Sequence, residues 1–245
     1  MHSTSSEIER NASNLIENLA TEAVGTAAAD SWYCIVACAF AACNQGTLVA
    51  RVYQRAISSY MDDADDRKRI LHRIKESIIK VTVIFGIPRG INAIRSIIKV
   101  IPPGDEYDNT KSRKEMIDPV VEYDRGLRYM RNIFREDLDP FLDTMELHSR
   151  DLKEMVVDYI YGHLQSNLDV IDAITTSQLN IVSLIPMDVM TEVAWHMRGL
   201  IRNGGSVNQI QYVLDTVDRI CKVTEVQLRN ELPTVDLVID AERLF

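Results

Sequence analysis

No stretch of this 245-residue chain stays apolar for the roughly 18–20 residues that a membrane-spanning helix needs. The longest weakly polar run, 35–42, is alanine-rich and far too short, so no membrane partner is expected. The N-terminus, Met1-His2-Ser3-Thr4, lacks a positive segment followed by an apolar core, so no secretory leader is expected. The sequon at Asn11 is then a chance match. Basic stripes are missing as well. The net charge is −9, and the two small basic clusters, 67–69 and 111–114, sit among acids, which excludes a nucleic-acid partner. Cysteine is scarce: of four, Cys34, Cys38 and Cys43 share one apolar segment, Cys221 stands far away, and none forms a CxxC pair. That is the pattern of buried free thiols in a reducing compartment, and it predicts a cytoplasmic location. His2, His72, His148, His163 and His196 are scattered without HxxxH or ExxH spacing, so no metal is expected. The glycines at 86–90 lack the preceding strand and GxGxxG spacing of a dinucleotide site. No cofactor is therefore expected.

Sustained period-2 alternation is absent too, while nearly every segment longer than ten residues carries helical periodicity. The pattern predicts an all-α fold with helices over 5–25, 30–43, 46–60, 64–85, 88–99, 118–135, 137–145, 150–164, 171–185, 188–202, 206–229 and 234–243. Asp30 or Ser31 is placed to cap the second helix, Asp66 lies in the first turn of the fourth, and Pro88 fits the first turn of the fifth. The turn-rich segment 101–115 reads as a linker between an N-terminal repeat, 1–100, and a C-terminal repeat, 116–245. Each half offers an apolar helix, a second helix and a long amphipathic helix. Two such repeats are expected to pack face to face as one domain.

Several residues along this plan resemble the carboxymuconolactone decarboxylase and alkylhydroperoxidase D superfamily, in particular its fungal members. They are Trp32-Tyr33, Lys80, the run 85–93 around Pro88-Arg89-Gly90, Gly126-Leu127, Asp151-Leu152, Tyr161-Gly162, and above all the segment 184–205. The resemblance implies two related helical repeats assembled as a dimer or higher homo-oligomer. It also implies a departure. The peroxidase branch carries two redox cysteines in a CxxC with a histidine four residues after the second. Counting back from His196, those positions hold Val189 and Glu192. Without a thiolate and a resolving partner, disulfide peroxidase chemistry at this motif is excluded. What the resemblance then implies is the decarboxylase branch, general acid–base chemistry without cofactor, in a setting of fungal secondary metabolism.

Within 184–205, His196 is the candidate general acid or base, since an imidazole exchanges protons near neutrality. Glu192, four residues earlier, shares its helical face and can orient or charge the ring. Arg198 is a fixed cation suited to a carboxylate or an enolate oxygen. Arg89 at a helix N-terminus and Lys80 within an apolar face are candidates for steadying an oxyanion. Trp32, Tyr33, Tyr161 and Trp195 are candidates to line an aromatic pocket. Each has a plainer reading: a core histidine, an i,i+4 pair, a surface salt bridge, a snorkelling lysine and core aromatics. The expected function is a cofactor-independent lyase, isomerase or cyclase acting on a small oxygenated secondary metabolite. Dehydration with pericyclic closure, such as a hetero-Diels–Alder reaction, is one version. The alternative is a non-catalytic small-molecule-binding or assembly protein that kept the fold. Whether His196 meets a pocket or is packed away from solvent distinguishes the two.

Overall fold

The computed structural model describes residues 4–105, 113, 118–236 and 238, and they form an all-α protein. Local chemistry sets most helix starts. Thr4 caps α1 (Ser5–Glu22), whose buried residues Ala12, Leu15, Ile16, Leu19 and Ala20 repeat at helical spacing. Asp63 accepts from the N–H groups of Asp65 and Asp66 to start α4 (Ala64–Phe85). Asp118 caps α6 (Pro119–Phe134), and Asp172 caps α9 (Ala173–Leu184). A reciprocal Ser206–Gln209 capping box opens α11 (Val207–Val223). Ser31 stands at the cap position of α2 (Trp32–Ala42) as expected, but its side chain makes no capping bond.

Two helices have almost no exposed face. All of α2 is buried, and so is α9 from Thr175 to Leu184. They touch each other at the centre of the molecule. Around α2 stand α1, α3 (Val49–Ile57), α4 and α5 (Ile87–Ile98), while α9 is covered by α4, α10 (Met190–Arg202) and α11. One continuous apolar core therefore draws on residues from both sides of the 101–115 segment. Between α6 and α9, the chain forms α7 (Leu138–His148) and α8 (Arg150–Glu154), which widens into a π-helix over Met155–Gln165. With α6 these make a side layer around a smaller core of Tyr129, Met130, Phe134, Leu142 and Tyr161, with Trp195 of α10 at its edge. The layer is tight: a Cβ on Gly126 would lie 2.6 Å from the backbone nitrogen of Gly162, so α6 and the π-helix meet backbone to backbone.

Some helix ends differ from the expected ones. The helix expected over 206–229 stops at Val223, because Thr224 turns its hydroxyl onto the Ile220 carbonyl and Glu225 adopts a left-handed φ of 58°. The third helix ends at Ile57 rather than at residue 60. The helix expected over 234–243 lies mostly outside the described residues. No helix among the described residues is long and apolar enough to cross a membrane.

Candidate functional site

The segment that ends in Asn203-Gly204-Gly205 folds as α10, and its two faces meet different surroundings. The inner face carries His196, 7% exposed, turned onto α9. Its Nδ1 lies 3.3 Å from the amide Nδ2 of Asn180. An amide nitrogen only donates, so Nδ1 accepts and the ring proton sits on Nε2. The same Asn180 Nδ2 donates to Gln165 Oε1 at 3.1 Å, and Gln165 Nε2 donates to the Lys80 carbonyl at 2.8 Å. Lys80 closes the chain, its Nζ donating to the carbonyls of Leu164 at 3.2 Å and Gln165 at 2.9 Å. Four helical elements, α4, the π-helix, α9 and α10, thus share one buried polar network.

Burial dominates its electrostatics. Removal from water holds the His196 pKa down to about 4, so the imidazole is neutral at physiological pH. The Lys80 amine, completely buried, is brought down to about 7 by the same cause, against the raising influence of Glu76. Both Asn180 Oδ1 and Ser183 Oγ, one turn apart on α9, are buried without a hydrogen-bond partner. Phe134 packs edge-on against the His196 ring, with centroids 6.3 Å apart.

The expected Glu192–His196 pair does not form. Glu192 is half-buried in the first turn of α10, where a carboxylate suits the helix dipole, and His196 takes Asn180 instead. Arg198 does not reach His196 either. Two residues on, about 200° around the helix, it faces outward and pairs with Asp137 at 3.0 Å. Arg89 is no anion anchor at the start of α5. Its Nη1 donates to the Ala42 carbonyl at 2.6 Å, satisfying the C-terminus of α2. The four candidate aromatics fall in two places. Trp32 packs edge-on against Tyr33, whose hydroxyl accepts from Arg73 Nε at 3.0 Å. Burial lifts the Tyr33 phenol to about 12, so it keeps its proton. Tyr161 and Trp195 instead both pack edge-on against Phe134, at 5.8 and 5.9 Å.

The outer face of α10 borders a cleft of about 470 Å³, within the size range of small-molecule sites. Met190, Thr191, Ala194, Trp195 and Arg198 of α10 line it together with Glu231, Pro233 and Val238. Two of the residues singled out in the sequence, Trp195 and Arg198, therefore do come together, in a cleft that is mainly apolar but carries the Arg198 guanidinium and the Glu231 carboxylate. His196 lines neither this cleft nor two others, one beside α1 and α3, the other beside the start of α11. Gln165, Asn180 and Phe134, all central to the inner face, were not singled out by motif. A signal was present for Asn180: α9 contains Thr175, Thr176, Ser177, Gln178, Asn180 and Ser183 but no charge, the composition of a helix with buried polar contacts. Among the described residues, no group of three or more His, Cys, Asp or Glu side chains is arranged to hold a metal.

Comparison with curated proteins finds similarity to Peroxisomal protein 2 of Schizosaccharomyces pombe, 24% identical over 203 residues, covering 83% of this chain and 91% of that protein. Peroxisomal protein 2 of Saccharomyces cerevisiae is 20% identical over 238 residues, covering 74% of this chain and 84% of that protein. No protein-family model matches the chain, and no solved structure matches it.

Proposed function

We propose that this chain is a peroxisomal protein that holds a small, largely apolar, oxygenated molecule in the outer cleft of α10, with His196 serving the core rather than a reaction. The observation that carries this reading is the division of α10: Arg198 and Trp195 line the cleft, while His196 is sealed against α9. Trp195 offers a flat apolar surface. Arg198 uses one nitrogen on Asp137 and has further donors for a ligand oxygen. The peroxisomal location takes its support from the names of both yeast proteins, aligned along most of their lengths, in place of the cytoplasm that cysteine usage suggests. The fold is proposed to be that of the carboxymuconolactone decarboxylase and alkylhydroperoxidase D superfamily. Its support is a pair of buried central helices, α2 and α9, each followed by a shorter and a longer helix. Self-association is part of the same reading, favoured by the exposed row Ile87, Ile91 and Ile98 along α5.

Native mass spectrometry of the protein recovered from its organelle tests the binding reading. A retained small molecule is expected in the wild type and lost in Arg198→Ala and in Ala194→Phe, which fills the cleft. A molecule retained equally by both variants, or by none of the three proteins, would overturn it.

Cofactor-independent catalysis is a second reading, favoured by the unpartnered Asn180 Oδ1 and Ser183 Oγ on α9 and by a lysine, linked to Asn180 through Gln165, whose pKa lies near neutrality. In it a substrate oxygen would enter the network, and the chain would act as a lyase, isomerase or cyclase. Metabolite profiles with and without the gene separate the two. A precursor cleared by added wild-type protein, but not by a folded His196→Ala protein, would establish catalysis.

A further inference from the structure

Cys43 and Cys221 are 178 positions apart in sequence, yet their sulfurs lie 3.9 Å from each other. Cys43 closes the C-terminus of α2, and Cys221 sits in the last turn of α11. This is contact distance for two sulfur atoms, with a hydrogen bond between them and no side chain interposed. The site is built around the pair. The Arg89 guanidinium, fixed on the Ala42 carbonyl, places positive charge beside Cys43, and the Thr224 hydroxyl lies against the same thiol. Asp218, one turn back on α11, supplies the opposing negative charge. Exposure of 6% for Cys43 and 3% for Cys221 shuts out bulky thiol reagents and leaves room only for a small neutral oxidant. Cys34 and Cys38, also buried, have no such sulfur partner.

We propose that Cys43 and Cys221 form a peroxide-sensitive dithiol that closes into a disulfide stapling α2 to α11. The hydrogen bond divides the roles. One thiol donates and keeps its proton as the resolving thiol, and the sulfur that accepts is the one favoured as thiolate and nucleophile. The thiolate of the pair attacks one oxygen of hydrogen peroxide. An S–O bond forms, the O–O bond breaks, and the departing hydroxide takes a proton to leave as water. Sulfur is oxidised to a sulfenic acid as the peroxide is reduced. The partner sulfur then displaces the hydroxyl. The S–S bond forms, the S–O bond breaks, and the thiol proton leaves with the hydroxyl as a second water. Closure needs the sulfurs to approach from 3.9 Å to about 2.05 Å. The change is a stoichiometric modification and does not depend on the α10 cleft.

The test is to treat the native full-length protein with hydrogen peroxide, quench it in denaturant with an alkylating agent, and measure intact mass and peptide linkage. The expected result is loss of two hydrogens, a joined pair of peptides containing Cys43 and Cys221, and alkylation of Cys34 and Cys38 alone. The oxidised protein is expected to melt at a higher temperature than the reduced one, because the link closes a long loop. Cys43→Ser is expected to abolish the link, but the wild-type mapping stands without any variant. Four alkylated thiols would overturn the proposal, as would an oxygen adduct on one sulfur of the pair with the other still free. A linked pair that lowers the melting temperature would contradict the staple.

Discussion

Lys80 sets the terms at the scale of single residues. Its amine has left water altogether and is held by two carbonyls at the end of the π-helix, and burial brings its pKa to about 7. The unfolded chain keeps that proton up to the ordinary lysine range. Between about pH 7 and pH 10, therefore, the unfolded state binds a proton that the folded state lacks, and this contribution to stability rises with pH. The difference is on the order of 4 kcal/mol across the window and is constant below it. Urea unfolding of wild type and Lys80→Met across this range is expected to show the wild type gaining on the variant by about a thousandfold in equilibrium constant. Parallel curves would place the amine in a wetter site. His196 acts in the same direction at lower pH: its folded pKa of about 4 lies below the unfolded value, so its contribution is lost as pH falls from about 6.5 to 4. Both shifts reflect burial. The arginines Arg89 and Arg198, drawn respectively to a helix end and to Asp137, answer to local electrostatics.

At the scale of elements, the contact between α6 and the π-helix is the most demanding. The nearest neighbours of a Cβ built at Gly126 or Gly162 are all backbone atoms, between 2.6 and 3.2 Å away, and none of them can swing aside. Gly126→Ala and Gly162→Ala are each expected to destabilise the protein by about 1–3 kcal/mol through overpacking. Chemical denaturation measures this, and a variant within a few tenths of wild type would show that the helices can part. Both glycines belong to the pattern that suggested the superfamily, and this close approach gives them a physical reason. The sequence made the helices themselves plain, since apolar spacing, Asp and Ser caps and the break at Gly86 are local signals. It could not reveal the rotation of α10. Periodicity puts Glu192 and His196 on one face, but only the packing of α9 and Phe134 decides that His196 meets Asn180 while Arg198 looks out. The pairing of Cys43 with Cys221 was equally hidden, because it depends on two helices whose order in sequence says nothing of their contact.

For the molecule as a whole, the central pair α2 and α9 makes the two halves interdependent. Residues 1–100 hold one wholly apolar helix, α2, that the second half covers through α9 and α11. Expressed alone, that segment is expected to lose fixed tertiary packing while keeping helix, seen as far-UV circular dichroism without near-UV signal. The intact chain is expected to unfold its main core in a single transition. A sharply dispersed NMR spectrum from the fragment would mean that the halves fold independently. The same central packing is what closes the inner face of α10 and leaves the outer one on the cleft. The most direct test of that division is the pH titration of the His196 imidazole by NMR, assigned by His196→Asn. The account predicts a neutral ring with its proton on Nε2 and shifts that stay flat from about pH 8 down to about pH 5. A midpoint near 6.5 would contradict it, placing His196 in contact with solvent and returning it to acid–base chemistry.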